Sequence, residues 1–202
     1  MAYEAPRMIG RVICILVLTL WVMATVALAQ GEQKAIDLPF DSFHVIYDYS
    51  LNVPVYVTWS ITPSDLGQVK RKASWTFRQD RRVPAPRATS SDYTHSGYQR
   101  GHMCPAADRS ASVAAMKETF TMSNICPQLP ALNTGAWSAI EARTRAIARS
   151  RGGVIVRCAP LFFACDTIRI GKHRIAVPHA FVKAVYAPDG VTLLGFGMFN
   201  NQ

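Results

Sequence analysis

The residues whose types could support chemistry lie between positions 97 and 141 of the 202-residue chain. Arg100 and His102 flank Gly101, and in an extended strand residues i and i+2 face the same side. The pair would therefore bring a permanent positive charge and a group that titrates near neutral pH to one substrate group. An R-G-H triplet alone is also typical of a histidine that only satisfies nearby backbone groups.

A second set of polar residues follows on a predicted helix. The helix begins at Asn133 and runs to about Ser150, and Gly152 and Gly153 end it. Glu141 lies slightly more than two turns after Asn133, so both side chains address the same side of the helix. A carboxylate on this inward face needs a partner. The simpler alternatives are a helix N-cap for Asn133 and a surface acid for Glu141.

A basic segment precedes these motifs. Between residues 70 and 87 the sequence carries a net charge of +6, together with the aromatic residues Trp75 and Phe77. Residues 66–92 have little apolar periodicity and many Arg, Pro and Ser residues, which predicts a long ordered surface loop. Its basic side chains form either a solvated face or a phosphate-binding wall anchored by the aromatic rings.

Sheet strands are predicted on both sides of these motifs. Residues 43–61 contain two β-branched and aromatic runs joined by a turn, and residues 120–125 form a further strand. Four more runs follow between residues 154 and 200, the last two joined by a Pro-Asp-Gly turn. The pattern predicts one α+β domain with a central antiparallel sheet.

Composition and charge limit the class of protein. The chain is 50% apolar and 17% charged, with 22 Lys and Arg against 13 Asp and Glu. These values exclude a disordered chain, and the single long apolar run excludes a multi-span transporter. The net charge of +9 favours polyanionic partners such as nucleic acid or an anionic membrane surface.

The amino terminus is typical of an export signal. Residues 12–29 carry no charge, follow Arg7 and Arg11, and end in an A-x-A site, which predicts a signal peptide over residues 1–29. An uncleaved membrane anchor is the alternative. Cleavage after Ala29 removes Glu4 with the two arginines and leaves 20 basic against 12 acidic residues, a net charge of +8. The sequence thus predicts a basic domain over residues 30–202, periplasmic or secreted, without stable membrane association.

Four cysteines remain in this exported domain: Cys104, Cys126, Cys158 and Cys165. An even number in an exported protein predicts disulfides, and four cysteines allow three connectivities. Cys158 and Cys165 could close a short loop, which leaves Cys104 for Cys126. Zinc is disfavoured because no C-x-x-C pair occurs.

The motifs together resemble one family, the DNA/RNA non-specific endonucleases with a ββα-metal, or His-Me finger, active site. The family pattern is an R-G-H strand, an S/T-N-x-x-P-Q strand and an N-x-x-x-W-x-x-x-E helix. This chain matches it with Arg100–His102, with Ser123–Gln128, and with Asn133 through Trp137 to Glu141. The resemblance covers most of residues 43–200.

The resemblance implies a role for each matched residue. His102 would be the general base that activates water. Asn133 would ligate one Mg²⁺ or Mn²⁺ ion through its side-chain oxygen, and Glu141 would hold a metal-bound water. Arg100 would oppose the charge of the transition state, and Asn124 would fix the geometry near His102.

The family also uses an arginine upstream of the finger. Arg71 and Arg78 are both candidates for binding substrate phosphate. The resemblance therefore implies an exported, metal-dependent endonuclease with DNA and RNA as substrates.

Two departures from the family pattern bear on activity. Gln99 stands where the family usually has Asp before the R-G-H triplet, and we expect this to reduce activity without abolishing it. The chain ends at Gln202, where known members continue, and we expect the groove and stability to be affected more than the chemistry. The competing hypotheses are a basic nucleic-acid-binding protein without catalysis and a phosphodiesterase for other phosphoesters.

Overall fold

The structure is a computed structural model that describes residues 34–163 and 167–202. Residues Ala35–Gln202 form one unit. The strands of the described residues are β1 Ala35–Pro39, β2 His44–Asp48, β3 Val53–Ile61, β4 Gln99–His102, β5 Ile125–Gln128, β6 Val154–Leu161, β7 Arg169–Ile170, β8 Ile175–Ala176, β9 Ala180–Tyr186 and β10 Leu193–Asn200. Six of them form an antiparallel sheet in the order β1-β2-β3-β6-β9-β10.

Two α-helices occur in the same residues, α1 Val113–Glu118 and α2 Trp137–Arg151. The predicted α+β architecture with a central antiparallel sheet is confirmed. The two predicted strands at 43–61 and the four runs after 154 are also present, although one run, residues 168–178, divides into the β7–β8 hairpin. Strand β1, which pairs with β2, was not predicted.

The core lies on one face of the large sheet and under α2. Alternate residues of β3, such as Val57, Trp59 and Ile61, are buried, as period-two patterning requires. Helix α2 contributes Trp137, whose ring centroid lies 5.4 Å from that of Phe181 on β9. The helix is thus held directly on the sheet, which gives its polar residues a fixed position.

A separate two-stranded sheet, β4 with β5, carries the motif residues. The strand predicted over residues 120–125 is wrong for most of its length. Met122–Asn124 form a turn of 3-10 helix, and β5 begins only at Ile125. The turn forms because the Asn124 side chain bonds to backbone atoms of Cys104 and Thr119, which curls the chain before the strand.

The start of the main helix also differs from the prediction. Regular α-helix begins at Trp137, and residues Leu132–Ala136 form a wider π-helical turn in which the Trp137 amide donates to the Leu132 carbonyl. Gly135 departs from helical geometry inside this turn, with ψ of −111°. Asn133 therefore lies in a widened turn, a feature frequent at functional sites.

The predicted loop over residues 66–92 is ordered against the finger. The backbone of Arg78 bonds to Phe120 and Met122, at 2.9 and 2.8 Å. The Asp80 carboxylate accepts from Ser123 Oγ at 2.7 Å and pairs with Arg82. These bonds position the upstream part of the loop beside β4 and β5.

The predicted disulfides are not formed. Cys104, Cys126 and Cys158 are buried free thiols, and Cys165 lies outside the described residues. Cys126 pairs with Gly101 in the sheet, and its Sγ lies 3.8 Å from the Pro54 carbonyl. The Cys104–Cys126 prediction is therefore wrong, as is Cys158–Cys165, since Cys158 Sγ donates to the Met103 carbonyl. Burial raises the pKa of Cys158 to about 12, which keeps the thiol protonated and unreactive.

The predicted signal peptide, residues 1–29, lies outside the described residues. Among the residues that are described, none of the helices combines the length and apolar character needed to cross a membrane.

Candidate active site

A cleft of about 830 Å³ opens between the loop at residues 67–77, strand β4 and helix α2. Its lining includes five of the seven residues singled out in the sequence: Arg71, Arg100, His102, Asn133 and Glu141. Arg100 and His102 lie opposite Pro127 and Ile125 in the β4–β5 pair and emerge on the same side. The Phe77 ring contacts both, with its centroid 5.3 Å from the His102 ring and 5.5 Å from Arg100 Cζ.

Only glycine fits between these two residues. A Cβ atom at Gly101 would overlap the side chain of Gln128, which is completely buried. The R-G-H triplet therefore reflects close packing of β4 on β5 as well as chemistry.

His102 lies in an apolar and positively charged environment. Its ring centroid is 5.0 Å from that of Phe120, in an edge-on arrangement. Burial lowers the pKa of His102 to about 3, and repulsion from Arg71 acts in the same direction. The imidazole is thus neutral at physiological pH. Its Nε2 is buried and has no hydrogen-bond partner among the described residues, while the residue as a whole lines the cleft.

The His102 backbone is also tied to helix α2. Trp137 Nε1 donates to the His102 carbonyl at 3.1 Å. This bond joins the strand that carries the imidazole to the helix that carries Glu141, and explains why a tryptophan follows Asn133 by one turn.

The amide of Asn133 is oriented by Gln99. Asn133 Nδ2 donates to Gln99 Oε1 at 2.7 Å, whereas Asn133 Oδ1 has no hydrogen bond to a described residue. The amide therefore does not cap the helix. Since its nitrogen is occupied, its oxygen is the atom available to a cation in the cleft.

Glu141 is a half-buried carboxyl without a direct partner. Burial raises its pKa to about 7; Lys183 and Arg145 lower it, and Asp108 raises it further. Neither a hydrogen bond nor an ion pair joins Glu141 to any residue in the described part of the chain. Burial affects the pKa of Glu141 more than the two cations do, so the ionised form of the carboxyl is unfavourable in the free protein.

The two upstream arginines take different positions. Arg71 lines the cleft, with its Cζ 4.9 Å from the Phe120 ring centroid. Arg78 instead donates through Nε to Thr121 Oγ1 at 3.1 Å and lines a separate depression with Asp80 and Glu118. The structure thus places Arg71, and not Arg78, in the cleft.

The Arg100 side chain is held by a backbone carbonyl and an aromatic ring instead of a carboxylate. Its Nη1 donates to the Ser90 carbonyl at 3.1 Å, and its Cζ lies 5.9 Å from the Tyr93 ring centroid. Because no acid neutralises it within the described residues, its charge is available to an anion in the cleft.

Asn124 lies outside the cleft lining. The residue is completely buried, with Nδ2 donating to the carbonyls of Cys104 and Thr119, and Oδ1 accepting from the Cys104 amide at 2.9 Å. The Asn124 side chain therefore holds the backbone at Cys104, two residues after His102.

Two cations near Glu141 were not identified in the sequence. Arg145 lines the cleft one turn after Glu141 and pairs with the buried Asp108 at 3.0 Å. Lys183 is 2% exposed, with Nζ 3.9 Å from the Trp137 ring centroid. The four-residue spacing from Glu141 could have revealed Arg145. Lys183 comes from strand β9 and gives no local signal.

The oxygen atoms in the cleft suit a hard divalent cation. Within residues 34–163 and 167–202, no three His, Cys, Asp or Glu side chains are grouped to hold a metal ion. An ion in this cleft would therefore take most of its ligands from water and substrate. Asn133 Oδ1 and the Glu141 carboxylate fit Mg²⁺ or Mn²⁺, which prefer oxygen and keep several waters. A zinc centre built from thiolates or histidines does not fit these residues.

The match to known families covers most of the chain. Residues 23–202 match the model of the DNA/RNA non-specific endonucleases. Over 155 residues the chain is 35% identical to mitochondrial endonuclease G of Homo sapiens, covering 72% of this chain and 52% of that protein. It is 34% identical over 133 residues to nuclease C1 of Cunninghamella echinulata var. echinulata, covering 61% and 53%. The chain spans about half the length of these relatives.

The fold is also similar to a solved structure. The crystal structure of the EndoG/EndoGI complex, which concerns the inhibition of EndoG, aligns with a TM-score of 0.71 and 26% sequence identity. The alignment covers 85% of this chain and 76% of that chain.

Proposed function

The chain belongs to the DNA/RNA non-specific endonuclease family, and we propose that it hydrolyses phosphodiester bonds of DNA and RNA with little dependence on base sequence. The observation that carries this proposal is the convergence of His102, Asn133 and Glu141 on one cleft. Five cations and one carboxylate line the same cleft, which suits a polyanionic substrate: Lys70, Arg71, Arg100, Arg145, Arg149 and Glu141.

His102 acts as the general base. Its depressed pKa keeps the imidazole neutral at the pH of the reaction, and the ring, which lines the cleft, accepts the proton of the attacking water. The Phe77 and Phe120 rings pack against the imidazole and hold its position. The Trp137 bond to the His102 carbonyl fixes the backbone that carries the imidazole.

Asn133 Oδ1 would hold one Mg²⁺ or Mn²⁺ ion, with Gln99 fixing the amide and Glu141 accepting from a water beside it. When bound, such an ion supplies Lewis-acid stabilisation of the phosphate charge and of the leaving oxygen. Gln99 performs its positioning role through a neutral oxygen. The carboxylate that the family usually has at this position is not needed to orient Asn133.

Arg100 and Arg71 bind the phosphate. Neither forms an ion pair with a described carboxylate, so both charges can oppose the negative charge that grows in the transition state. Contacts of this kind read no base edges, which accounts for the weak sequence dependence that we propose.

The test is cleavage of supercoiled plasmid and of single-stranded RNA by the purified chain, in Mg²⁺, in Mn²⁺ and in EDTA. We expect nicking and then fragmentation of DNA, degradation of RNA, and loss of both in EDTA. Binding of nucleic acid without hydrolysis in either metal would refute the proposal in favour of a non-catalytic binding protein. Hydrolysis of only small diesters would favour a different phosphodiesterase.

We further propose that the chain is exported to the periplasm or secreted. The proposal is supported by the uncharged run at 12–29 and the small residues before Gln30. The matched endonuclease G is a mitochondrial protein by name and gives no support for bacterial-type export. Mass spectrometry of the exported protein should find Gln30 as its first residue. A chain that retains residues 1–29 in the membrane fraction would contradict cleavage.

A further inference from the structure

A second basic pocket is linked to the cleft through one short turn. It has a volume of about 370 Å³ and is formed by the β7–β8 hairpin against the β2–β3 turn. Its lining includes three cations, Arg169, Lys172 and Arg174, together with His173, and no carboxylate among residues 34–163 and 167–202 lines it. Tyr49 and Asn52 complete part of the wall.

The hairpin loop is held rigidly in place. The backbone amide and Nδ1 of His173 both bond to the buried Asp92, at 3.1 and 2.9 Å. Asn52 Nδ2 donates to the His173 carbonyl at 2.9 Å. Gly171 has φ of +67°, and a Cβ there would overlap Asp92, so the loop packs as closely as the backbone allows.

Two described acids near this pocket, Asp48 and Asp92, are already engaged. Asp92 is bound by His173 and Thr89, and Asp48 accepts from the backbone amides of Ser50 and Leu51. Both carboxylates are buried. Neither of these two carboxylates forms an ion pair with Arg169, Lys172 or Arg174.

Lys172 and Arg174 are the free cations of the pocket. Both are exposed, and neither side chain forms a hydrogen bond or ion pair with a residue of the described part. Arg169 is partly engaged, since its Nη1 donates to the Ser50 and Arg174 carbonyls. Because the loop backbone is already fixed, an anion that binds these two side chains need not order the backbone as well.

One turn of 3-10 helix, Ser90–Tyr93, connects the pocket to the cleft. Its Asp92 anchors the hairpin, its Ser90 carbonyl holds Arg100, and its Tyr93 lines the cleft. Residues that line the two sites, His173 in the pocket and Arg100 in the cleft, thus contact the same four-residue turn.

We propose that this pocket binds a backbone phosphate of the same nucleic-acid strand, a few nucleotides from the bond that is cut. The proposal rests on the proposed function, because it extends the substrate path of that cleft. Lys172 and Arg174 contact the phosphate as charges, without reading bases. The pocket therefore adds affinity for long substrates and no sequence preference.

The test is the salt dependence of DNA binding by the full chain carrying His102→Ala, which prevents cleavage. Lys172→Ala and Arg174→Asn are added together, with Asn chosen because residue 174 has φ of +52°, which Asn tolerates. A duplex of about 20 base pairs is titrated between 50 and 200 mM salt in EDTA. Each lost phosphate contact reduces the slope of log K against log salt by about 0.9.

The two substitutions should reduce the slope by about 1.8, so that the parent loses about 12-fold more affinity than the variant over this salt range. The matched control is Arg143→Ala with Arg151→Ala, which removes the same charge from exposed positions of α2. The control should keep the parent slope. Lys172→Ala alone, a substitution that breaks no hydrogen bond, should reduce the slope by about 0.9.

Equal slopes for the hairpin variant and its control would overturn the pocket assignment while the wild-type chain still cleaves DNA. A wild-type chain that neither binds nor cleaves the duplex would overturn the proposed function and this inference with it. Thermal melting of each variant verifies that the change in slope is not a change in folding.

Discussion

Replacing Glu141 by Gln should stabilise the metal-free protein at alkaline pH while removing most of its activity. The substitution keeps the size and hydrogen-bonding capacity of the side chain and removes its charge. Burial in the cleft raises the pKa of Glu141 to about 7 from an ordinary 4.5. The substitution therefore separates the effect of the Glu141 charge on the free energy of unfolding from its effect on the reaction.

The sign follows from proton binding. Between pH 4.5 and 7 the folded protein keeps a proton on Glu141 that the unfolded chain has released. The stability conferred by this proton is fully present below pH 4.5 and is lost as the pH rises through 7. Above that pH the ionised carboxylate costs at most about 3 kcal/mol, since one pKa unit corresponds to about 1.4 kcal/mol.

The assay is urea unfolding in EDTA at pH 5 and pH 8. At pH 8 the Gln variant should be more stable than the wild type by up to about 3 kcal/mol, equivalent to a melting temperature higher by up to about 10 °C for a domain of this size. At pH 5 the difference should shrink by most of that amount, because the wild-type carboxyl is then protonated. Turnover in Mg²⁺ should fall at both pH values.

Glu118→Gln is the matched control, because Glu118 is a half-buried carboxyl that does not line the cleft. We expect the pH-dependent gain only for the Glu141 variant. A Glu141→Gln protein that is less stable than the wild type at pH 8 in EDTA would refute the argument that burial dominates the energetics of this side chain.

Three further substitutions probe the rest of the site. His102→Ala should lower kcat by about a hundredfold to ten-thousandfold while the Kd for DNA stays nearly constant, and unchanged turnover would remove His102 from the mechanism. Arg71→Ala should weaken DNA binding and reduce its salt slope by about 0.9, whereas Arg78→Ala should leave the slope unchanged; equal effects would contradict the assignment of Arg71 to the cleft. Asn124→Ala should lower the free energy of unfolding, measured from the urea midpoint, by about 3 kcal/mol, since three buried backbone groups lose their partner; a loss below about 1 kcal/mol would contradict the positioning role.

Short-range spacing made much of the site predictable. The convergence of Arg100 with His102 follows from strand periodicity, and that of Asn133 with Glu141 follows from helical periodicity. The wide turn at Leu132–Ala136 shifted the start of the regular helix by four residues, yet both side chains still face the cleft.

Contacts between distant segments were not predictable in the same way. The choice between Arg71 and Arg78 depends on a backbone pairing of Arg78 with Phe120 and Met122, about forty positions away in sequence. The cysteine pairing failed for a similar reason. Cys126 and Cys158 face carbonyls of Pro54 and Met103, which come from other elements.

The charge of the cleft leads to a last prediction, that the metal ion and nucleic acid bind cooperatively. Five cations surround a single carboxylate whose ionisation is already costly, so a divalent cation alone is repelled. A phosphate in the cleft reverses the local charge and offers the cation additional oxygen ligands. Coupling of this kind is reciprocal, so Mg²⁺ should raise the affinity for DNA by the same factor, at least about fivefold.

Asn133 distinguishes this coupling from general effects of Mg²⁺ on DNA. At constant ionic strength, Mg²⁺ should increase DNA affinity for the His102→Ala protein and not for the His102→Ala, Asn133→Ala double variant. The double variant is a suitable control because Asn133 Nδ2 is already bound to Gln99, which leaves Asn133 Oδ1 as the atom that would contact the cation. The same Mg²⁺ response in both proteins would contradict a cation held at Asn133, because loss of that ligand must weaken any coupling that passes through it.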